Sequence, residues 1–300
     1  MNIIFETEGS STALKTWMQA FSDIDDSLLV EIDLSKRLFI AKSFTADKTI
    51  VKYGQISFER CNIKVLSITT DDGKELTTEE FAAAYPGKRV YMGFLHNIKD
   101  VIEQIDFYST EKTYKIIVRF SEVNCDRDGV LFVAHKVEFK SPDYNILAPV
   151  YNISEFNLSI LNDDVFFNRV AAIPEPVTFE LSEKTSAMLV KASSLHSKDA
   201  KRDIIKFVTS DENGWCLRAK DHTSGIYDCT LSHKVKDSTV QPIEIVAPIT
   251  RQNFLFANKG DRGDSTTYIT LSADREVQNG RLKIVSADGD FTSVVANVRI

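Results

Sequence analysis

Three lysines spaced seven residues apart are the feature of this sequence with the most direct chemistry. Lys184, Lys191 and Lys198 recur at an interval that advances an α-helix by nearly two whole turns, so on a helix they form one narrow basic stripe. Lysines in such a stripe bind phosphate groups as flexible, hydrated point charges and read no bases. The alternative is a solvated helix flank, because charged residues commonly serve solubility. The spacing leaves both interpretations open.

The segment around these lysines is basic, although the chain is acidic overall. The formal net charge is −7, which by itself argues against nucleic acid as a partner, since phosphate binding requires Lys and Arg. The charge is segregated, however. Residues 71–80 hold five acids against one lysine, whereas residues 183–206 hold six basic residues against three acids. The distribution of charge is therefore more informative than its total.

Residue types that carry covalent or metal chemistry do not form a recognisable site. The sequence has no P-loop, GxGxxG, GxSxG, HExxH or EF-hand loop. Its five histidines have no ligand-like spacing, and its four cysteines lie far apart without a CxxC pair. We therefore expect no enzyme activity, no metal and no cofactor. The cysteines are interpreted as reduced, mostly buried thiols, because free cysteine is usually buried.

The sequence also predicts an intracellular protein with no membrane partner. No window approaches the roughly 18 uninterrupted apolar residues that a membrane helix needs. Residues 1–6 lack the basic region of a secretory signal and meet an acid at once.

Short strands and four helices must position the basic residues. Strands joined by short turns are predicted at residues 28–33, 38–43, 49–58, 204–209, 215–220, 226–233, 281–286 and 291–299. Apolar residues at helical period predict helices at residues 11–21, 97–105, 182–195 and 250–258. In the third helix, the expected buried face consists of Met188, Ala192 and Leu195. The lysine stripe then lies roughly 70° from that face, on its flank.

One supersecondary unit, a strand, a helix and further strands, recurs four times along the chain. A single helix covers too little of a sheet, so the units should pair into two domains. Four of the seven prolines lie in residues 142–176, where the periodicity fades. We therefore predict an N-terminal domain at residues 1–141, a connector at 142–176 and a C-terminal domain at 177–300, in the α+β class.

Four stretches of the second half, taken in order, carry a resemblance to a known family. They are residues 171–181 with the Ser182 helix, residues 204–207 with 211–221, residues 250–260 with Phe256 and Lys259, and residues 268–274 through 298–300. Together they resemble the proliferating cell nuclear antigen type of DNA sliding clamp. The first half resembles it only in architecture. The sequence departs from the family in the long, acidic residues 60–90, in Arg275 and Glu276 where a proline is usual, and in ending at Ile300 without an acidic tail.

The resemblance implies two clamp-type domains, each with two β-α-β-β-β units, inner helices and outer antiparallel sheets. It implies a homotrimeric ring that encircles duplex DNA without reading its sequence and tethers DNA polymerase and other replication proteins. A clamp loader is an implied partner, and the implied location is wherever DNA is replicated, in the cytoplasm of a bacterial host or in a nucleus. Because the family lines its hole with helices, the implied DNA contacts are Lys15, Lys99, Lys184, Lys191, Lys198, Arg202, Arg251 and Lys259.

The family also binds short client peptides between its connector and its C-terminal strands. Carried over residue by residue, this groove corresponds to Ala171, Ile173, Pro174, Val295, Asn297 and Val298, with Phe44 and Ile50 of an early hairpin as weaker additions. Phe166 and Phe167 lie just before these connector residues and belong either to the groove or to the core, since Phe is often buried.

Two other interpretations stay open at this point. A β-rich viral structural protein would explain the hairpins, but not the helix-strand units that recur in order. A clamp-like processivity factor that acts as a monomer or dimer, without closing a ring, fits the weak basic character of the second helix, where Lys99 sits beside Asp100 and Glu103.

Overall fold

The computed structural model of the chain describes residues 1–9, 12–108, 111–125, 129–151, 153, 163–194, 203–210, 214–221, 227–259, 266–273 and 281–298. The chain forms two compact units. The first comprises Met1–Ser43 and Gly54–Leu161, and the second comprises Phe44–Tyr53 and Asn162–Ile300. The fold is α+β, as predicted, with short helices among many strands.

The first half of the chain contains, in order, β1 (Asn2–Glu8), α1 (Thr12–Gln19), β2 (Leu28–Asp33), β3 (Leu38–Phe44), β4 (Ile50–Ser57), β5 (Ile63–Thr69), β6 (Glu75–Leu76), α2 (Thr78–Ala84), β7 (Val90–Phe94), α3 (Ile98–Phe107), β8 (Thr113–Cys125), β9 (Gly129–Lys140) and β10 (Asn145–Ala148). In the first unit the strand order is β3-β2-β7-β9-β8-β1-β5-β6, and β10 pairs with β9. The pairing is antiparallel except between β7 and β9, where two residue pairs run parallel.

The core of the first unit lies between α1, α3 and one face of this sheet. Trp17 of α1 and Val101 of α3 meet Phe5, Val30 and Ile116 of the strands around a small apolar cavity of about 30 Å³. The helices form because their apolar residues recur at helical spacing. Strand β1 alternates buried and partly exposed residues, whereas every residue of β2 is buried.

A charged network is buried on the other side of β2. Glu31 and Lys42, almost fully buried, are 3.0 Å apart, and the second oxygen of Glu31 lies 2.6 Å from Arg89. The Arg89 guanidinium also approaches Asp33 at 3.4 Å. Buried charges of this kind are tolerated only when they are paired.

Helix α2 was not predicted. It falls in the acidic segment, where Thr77 and Glu80 form a capping box that satisfies the first turn. Phe81 is the buried residue of this helix, and its ring lies 5.8 Å from that of Phe132 and 6.4 Å from that of Phe120. Residues 60–90 thus contain β5, β6 and a helix whose Phe81 packs against β8 and β9.

The second half of the chain contains a short helix α4 (Asp163–Val165), a π-helical turn (Phe166–Val170), β11 (Pro176–Leu181), α5 (Glu183–Ser194), β12 (Ile204–Ser210), β13 (Cys216–Asp221), β14 (Asp228–Ser232), β15 (Val235–Ser238), β16 (Val246–Thr250), α6 (Arg251–Asn258), β17 (Thr267–Ser272), β18 (Arg281–Ser286) and β19 (Phe291–Ala296). In the second unit, one set of strands has the order β15-β11-β17-β18-β19-β4 and a second sheet has the order β14-β13-β12-β16.

Residues 44–53, the tip of the hairpin formed by β3 and β4, belong to the second unit. Within that unit β4 is the neighbour of β19, and the Ala296 amide donates a hydrogen bond of 2.8 Å to the Thr49 carbonyl oxygen. Asn253 of α6 donates to the Thr49 hydroxyl at 3.1 Å. Strand β19, the last strand of the chain, is therefore paired with a segment from near the start of the chain.

The four predicted helices are confirmed, as is the recurring unit. The succession β7, α3, β8, β9, β10 repeats as β16, α6, β17, β18, β19, and each is one β-α-β-β-β unit. In the described residues, no helix is both long and apolar enough to cross a membrane.

The cysteines whose side chains are described are unpaired. Cys61 is buried, whereas Cys216 and Cys229 are half-buried. Burial raises the pKa of the Cys61 thiol to about 12.

Candidate nucleic-acid interface and partner groove

Helix α5 carries two of the predicted DNA-binding lysines on its exposed side. Leu189 is fully buried, with Ser186 and Ser193 buried beside it. Lys184 and Lys191 are exposed. At about 100° per residue, the two lysines lie roughly 170° from the centre of the buried face, almost opposite to it.

The buried face predicted for this helix is wrong. Met188 is 58% exposed and lies between the two lysines on the outer side. Ala192 is half-buried, and Leu195 lies outside the described residues. The prediction failed because two buried positions, Ser186 and Ser193, hold small polar residues that carry no hydrophobic signal. The lysines therefore point away from the core, not along its flank.

The buried serines are satisfied within the helix pair. The Asn258 amide of α6 donates to the Ser186 hydroxyl at 3.2 Å, which ties α5 to α6. The Ser193 hydroxyl donates to the Val190 carbonyl oxygen at 2.9 Å, inside its own helix.

The predicted contacts on α6 differ in their access to solvent. Thr250 caps the helix by accepting a hydrogen bond from the Asn253 amide at 3.2 Å. The Arg251 side chain is only 13% exposed and approaches the Asp203 carboxylate at 3.8 Å. Burial, together with nearby acids including Asp203, raises the pKa of Tyr227 to about 12. Arg251 thus lies in a shielded ionic cluster, while Lys259 is half-buried and directly follows the last residue of the helix.

The helices of the first unit present more acid than base. Lys15 of α1 is 2.6 Å from Asp106 of α3 and so links the two helices. Lys99 is exposed on α3, but Asp100, Glu103 and Asp106 are exposed on the same helix. Two further predicted DNA contacts, Lys198 and Arg202, lie outside the described residues.

Two of the predicted groove residues, Phe166 and Phe167, belong to an aromatic cluster with Tyr53. The Tyr53 ring stacks on Phe166 at 5.5 Å and meets Phe167 edge-on at 4.9 Å. Phe166 is fully buried, whereas Phe167 is 43% exposed. The aromatic pair is therefore divided between core and surface. Sequence analysis missed Tyr53, although its place on a strand beside Phe44 was a usable signal.

The segment that follows the aromatic pair is fixed to the closing strands of the second unit. Arg281 donates hydrogen bonds of 2.9 Å to the carbonyl oxygens of Arg169 and Val170. The Ser272 hydroxyl donates to the Pro174 carbonyl oxygen at 3.1 Å. Among the other predicted groove residues of this segment, Ala171 is buried, Ile173 is half-buried and Pro174 is exposed.

The remaining predicted groove residues fall into two groups. Val295 and Ile50 are fully buried. Val295 lies on the same face of β19 as Ser293, whose hydroxyl donates to the Ala257 carbonyl oxygen of α6. These two side chains belong to the core. Phe44, Asn297 and Val298 are half-buried and remain candidates for a surface. The Asn297 side-chain oxygen is buried without a hydrogen-bond partner in the described part of the chain.

No group of three or more His, Cys, Asp or Glu side chains in the described segments could hold a metal ion.

The architecture, with a helix pair in each unit and recurring β-α-β-β-β units, is that of known DNA sliding clamps. No protein-family model and no characterised protein sequence matches the chain. Solved structures do match over nearly its whole length, and the chain has the sliding-clamp fold.

Three of these structures illustrate the match. A clamp of A. fulgidus, called PCNA, solved with the C-terminal region of FEN-1 bound, shares 10% identity at a TM-score of 0.61, over 99% of this chain and 98% of that one. PCNA from Thermococcus kodakaraensis shares 10% identity at a TM-score of 0.60, over 98% and 100%. The Helicobacter pylori beta clamp, bound to a DNA ligase peptide, shares 13% identity at 0.54, over 99% of this chain but 66% of that one.

Proposed function

We propose that this protein is a sliding-clamp processivity factor, a scaffold without enzyme activity that surrounds duplex DNA and tethers DNA polymerase. The observation that carries the proposal is the placement of Lys184 and Lys191 on the side of α5 opposite its buried face, in a chain with the sliding-clamp fold. Lys198 and Arg202 extend the same basic segment in sequence.

The chemistry of these lysines suits a protein that moves along DNA. An ammonium on a flexible stem follows phosphate oxygens and carries no sequence information, because sequence is read at base edges. A clamp that recognised bases would stop at its preferred sequence. We therefore expect sequence-independent, strongly salt-dependent binding of double-stranded DNA.

Ring closure is proposed from the repeat within the chain. In the second unit, the last strand of a β-α-β-β-β unit, β19, lies beside the hairpin strand β4. β4 is itself the last strand of the unit β1-α1-β2-β3-β4, whereas β10 and β14, the last strands of the other two units, are each at an edge among the described strands. Leu147 on β10 is more than half exposed. Pairing of β10 with β14 of the next copy would cover these edges, and three two-unit chains would close a six-unit ring.

The proposed client site is the surface around Phe167, Tyr53, Ile173 and Val298. Exposed and half-buried apolar side chains on a fixed framework suit the aromatic and aliphatic anchors of a short peptide. Two of the clamps described above were solved with bound partners, one with the C-terminal region of FEN-1 and one with a DNA ligase peptide. We propose a polymerase, other replication proteins and a clamp loader as partners of this chain, in the compartment where DNA is replicated. The proposed domains are residues 1–141 and 177–300, joined by the connector at 142–176.

The decisive experiment combines solution mass, electron microscopy and a polymerase extension assay. We expect a trimeric ring with a hole as wide as duplex DNA. Reversal of Lys184, Lys191 and Lys198 to Glu should abolish loading and processive synthesis while the ring stays intact. Processivity equal to that of the wild type would refute the assignment of the DNA channel.

A second experiment addresses the partner groove. A cognate polymerase peptide should lose binding to an Ile173→Ser, Val298→Ser double variant, because both side chains supply partly exposed apolar area. Peptide affinity retained in the folded double variant would reject this groove.

A clamp-like factor that does not close a ring is the second candidate. It is favoured by the three exposed acids on α3, which give the first unit a poor surface for phosphates. A monomeric or dimeric solution mass with processivity retained would support this candidate over the closed ring.

A further inference from the structure

Lys52 is a charged side chain that is completely buried inside the second unit. It lies on β4, in the hairpin tip. Its ammonium donates a hydrogen bond of 3.1 Å to the Phe256 carbonyl oxygen and a second hydrogen bond to the Lys259 carbonyl oxygen. It also lies 5.3 Å from the centre of the Phe291 ring. A buried ammonium is costly unless it is hydrogen-bonded, and here both acceptors come from the end of α6.

The contacts of Lys52 close the C-terminal end of α6. The last four carbonyl groups of a helix have no partner inside the helix, and that end carries a partial negative charge. The Ser293 hydroxyl of β19 donates to one of these carbonyl groups, that of Ala257, at 2.8 Å. Lys52 donates to a second of these carbonyl groups, that of Phe256, and to the carbonyl oxygen of Lys259, the residue that follows the helix. The helix end is therefore capped from the strands beneath it by one neutral and one cationic side chain.

We propose that Lys52 is a positioning residue, which fixes the end of α6 and thereby presents Lys259 to DNA. The inference rests on the proposed function, because Lys259 matters for DNA only if α6 faces it. The buried cation also favours DNA binding electrostatically. Its charge offsets the partial negative charge at the C-terminal end of the helix, which would otherwise repel a phosphate backbone. Being fully buried, Lys52 acts on DNA only through the helix.

The test compares variants at Lys52 with a matched control. Lys52→Met keeps the aliphatic stem and removes the ammonium, whereas Lys52→Arg keeps the charge and several donors. The control is Lys283→Met. Lys283 is half-buried in the same unit, and burial lowers its pKa, but it lies on the face of β18 opposite the buried Leu282 and Ile284.

Hydrogen exchange of the last-turn amides of α6 reports helix position without DNA. We expect these amides to exchange about tenfold faster in Lys52→Met, because two partly buried carbonyl groups at the helix end lose their donor. Lys52→Arg should stay closer to the wild type, and Lys283→Met should not change α6. A general loss of stability would raise exchange throughout the second unit and not at this helix end alone.

The DNA-dependent readout is the slope of log affinity for duplex DNA against log salt concentration. We expect the slope of Lys52→Met to be shallower by about 0.9 per chain if one phosphate contact is lost. A change in α6 exchange with an unchanged slope would overturn the DNA part of the inference. Wild-type protein without salt-dependent DNA affinity would refute the proposed function, and α6 exchange alone would then decide the role of Lys52.

Unchanged α6 exchange in folded Lys52→Met overturns the positioning role. If this variant does not fold, Lys52→Gln replaces it, because its shorter, uncharged side chain does not reach both carbonyl groups. For Lys52→Gln we again expect faster exchange of the last-turn amides of α6. Unchanged exchange would again overturn the positioning role.

Discussion

Neutralising the two exposed lysines of α5 gives the sharpest test of the nucleic-acid interface. In the double variant Lys184→Gln, Lys191→Gln, the helix keeps its buried face, because both side chains lie almost opposite Leu189. The two positions are seven residues apart, or about 10 Å along the helix axis, so each lysine can neutralise a different phosphate.

The expected magnitude follows from counterion release. Each phosphate contact contributes about 0.9 to the slope of log affinity against log salt, so two lost contacts make the slope shallower by about 1.8 per engaged chain. Between 50 and 200 mM salt, the two contacts together account for roughly a tenfold loss of affinity in the wild type that the variant should not show.

The assay is fluorescence anisotropy of a labelled duplex, titrated at several salt concentrations. The matched control is Lys36→Gln, Lys74→Gln, which removes the same charge from two exposed lysines outside the helices. This control variant should change the slope of log affinity against log salt concentration only slightly. Equal slopes for the two double variants would mean that only net charge matters and would refute a localised interface on α5.

Three further predictions concern the framework. Glu31→Gln should lower the free energy of unfolding by about 3–5 kcal/mol, because it removes the carboxylate from a buried pair with Lys42; a denaturant titration with no shift would contradict this. Phe81→Ala should cost about 3–5 kcal/mol and open α2 to limited proteolysis, and a protease-resistant variant would argue against the packing described. Cys61, with its pKa raised to about 12, should resist alkylation at pH 8 until the protein unfolds. Its contribution to stability is fully present below the unfolded pKa near 9.0 and is lost as pH rises through the folded value. Rapid labelling of the native protein would contradict that burial.

The sequence predicted helices well wherever large apolar residues mark the buried face. Leu14 and Trp17 of α1 and Val101 and Ile105 of α3 are all buried, as their spacing indicates. Helix α5 shows the limit of this signal. Only Leu189 is large and buried there, and the serines that complete the face are polar in sequence but paired in the structure.

The candidate site was predicted less completely than the fold. The lysines of α5 could be found from their spacing, but their direction could not, because it depends on which side of the helix is buried. Helix α2 carried a visible capping box at Thr77 and Glu80, yet its short length and many acids hid it. Val295 matches a groove position in sequence. In the structure its side chain lies on the same face of β19 as Ser293, which contacts α6, and it is therefore buried.

The hairpin tip bears on how the protein can be divided. Residues 44–53 complete the second unit, so a polypeptide starting near residue 162 would lack the neighbour of β19, the hydroxyl that accepts from the Asn253 amide and the buried cap of α6. Such a fragment would expose the edge of β19 and invite aggregation or strand exchange between copies. In a mutational scan plotted along the sequence, changes at Thr49 or Lys52 would appear in the first half of the chain. Their structural effects, however, would fall in the second unit.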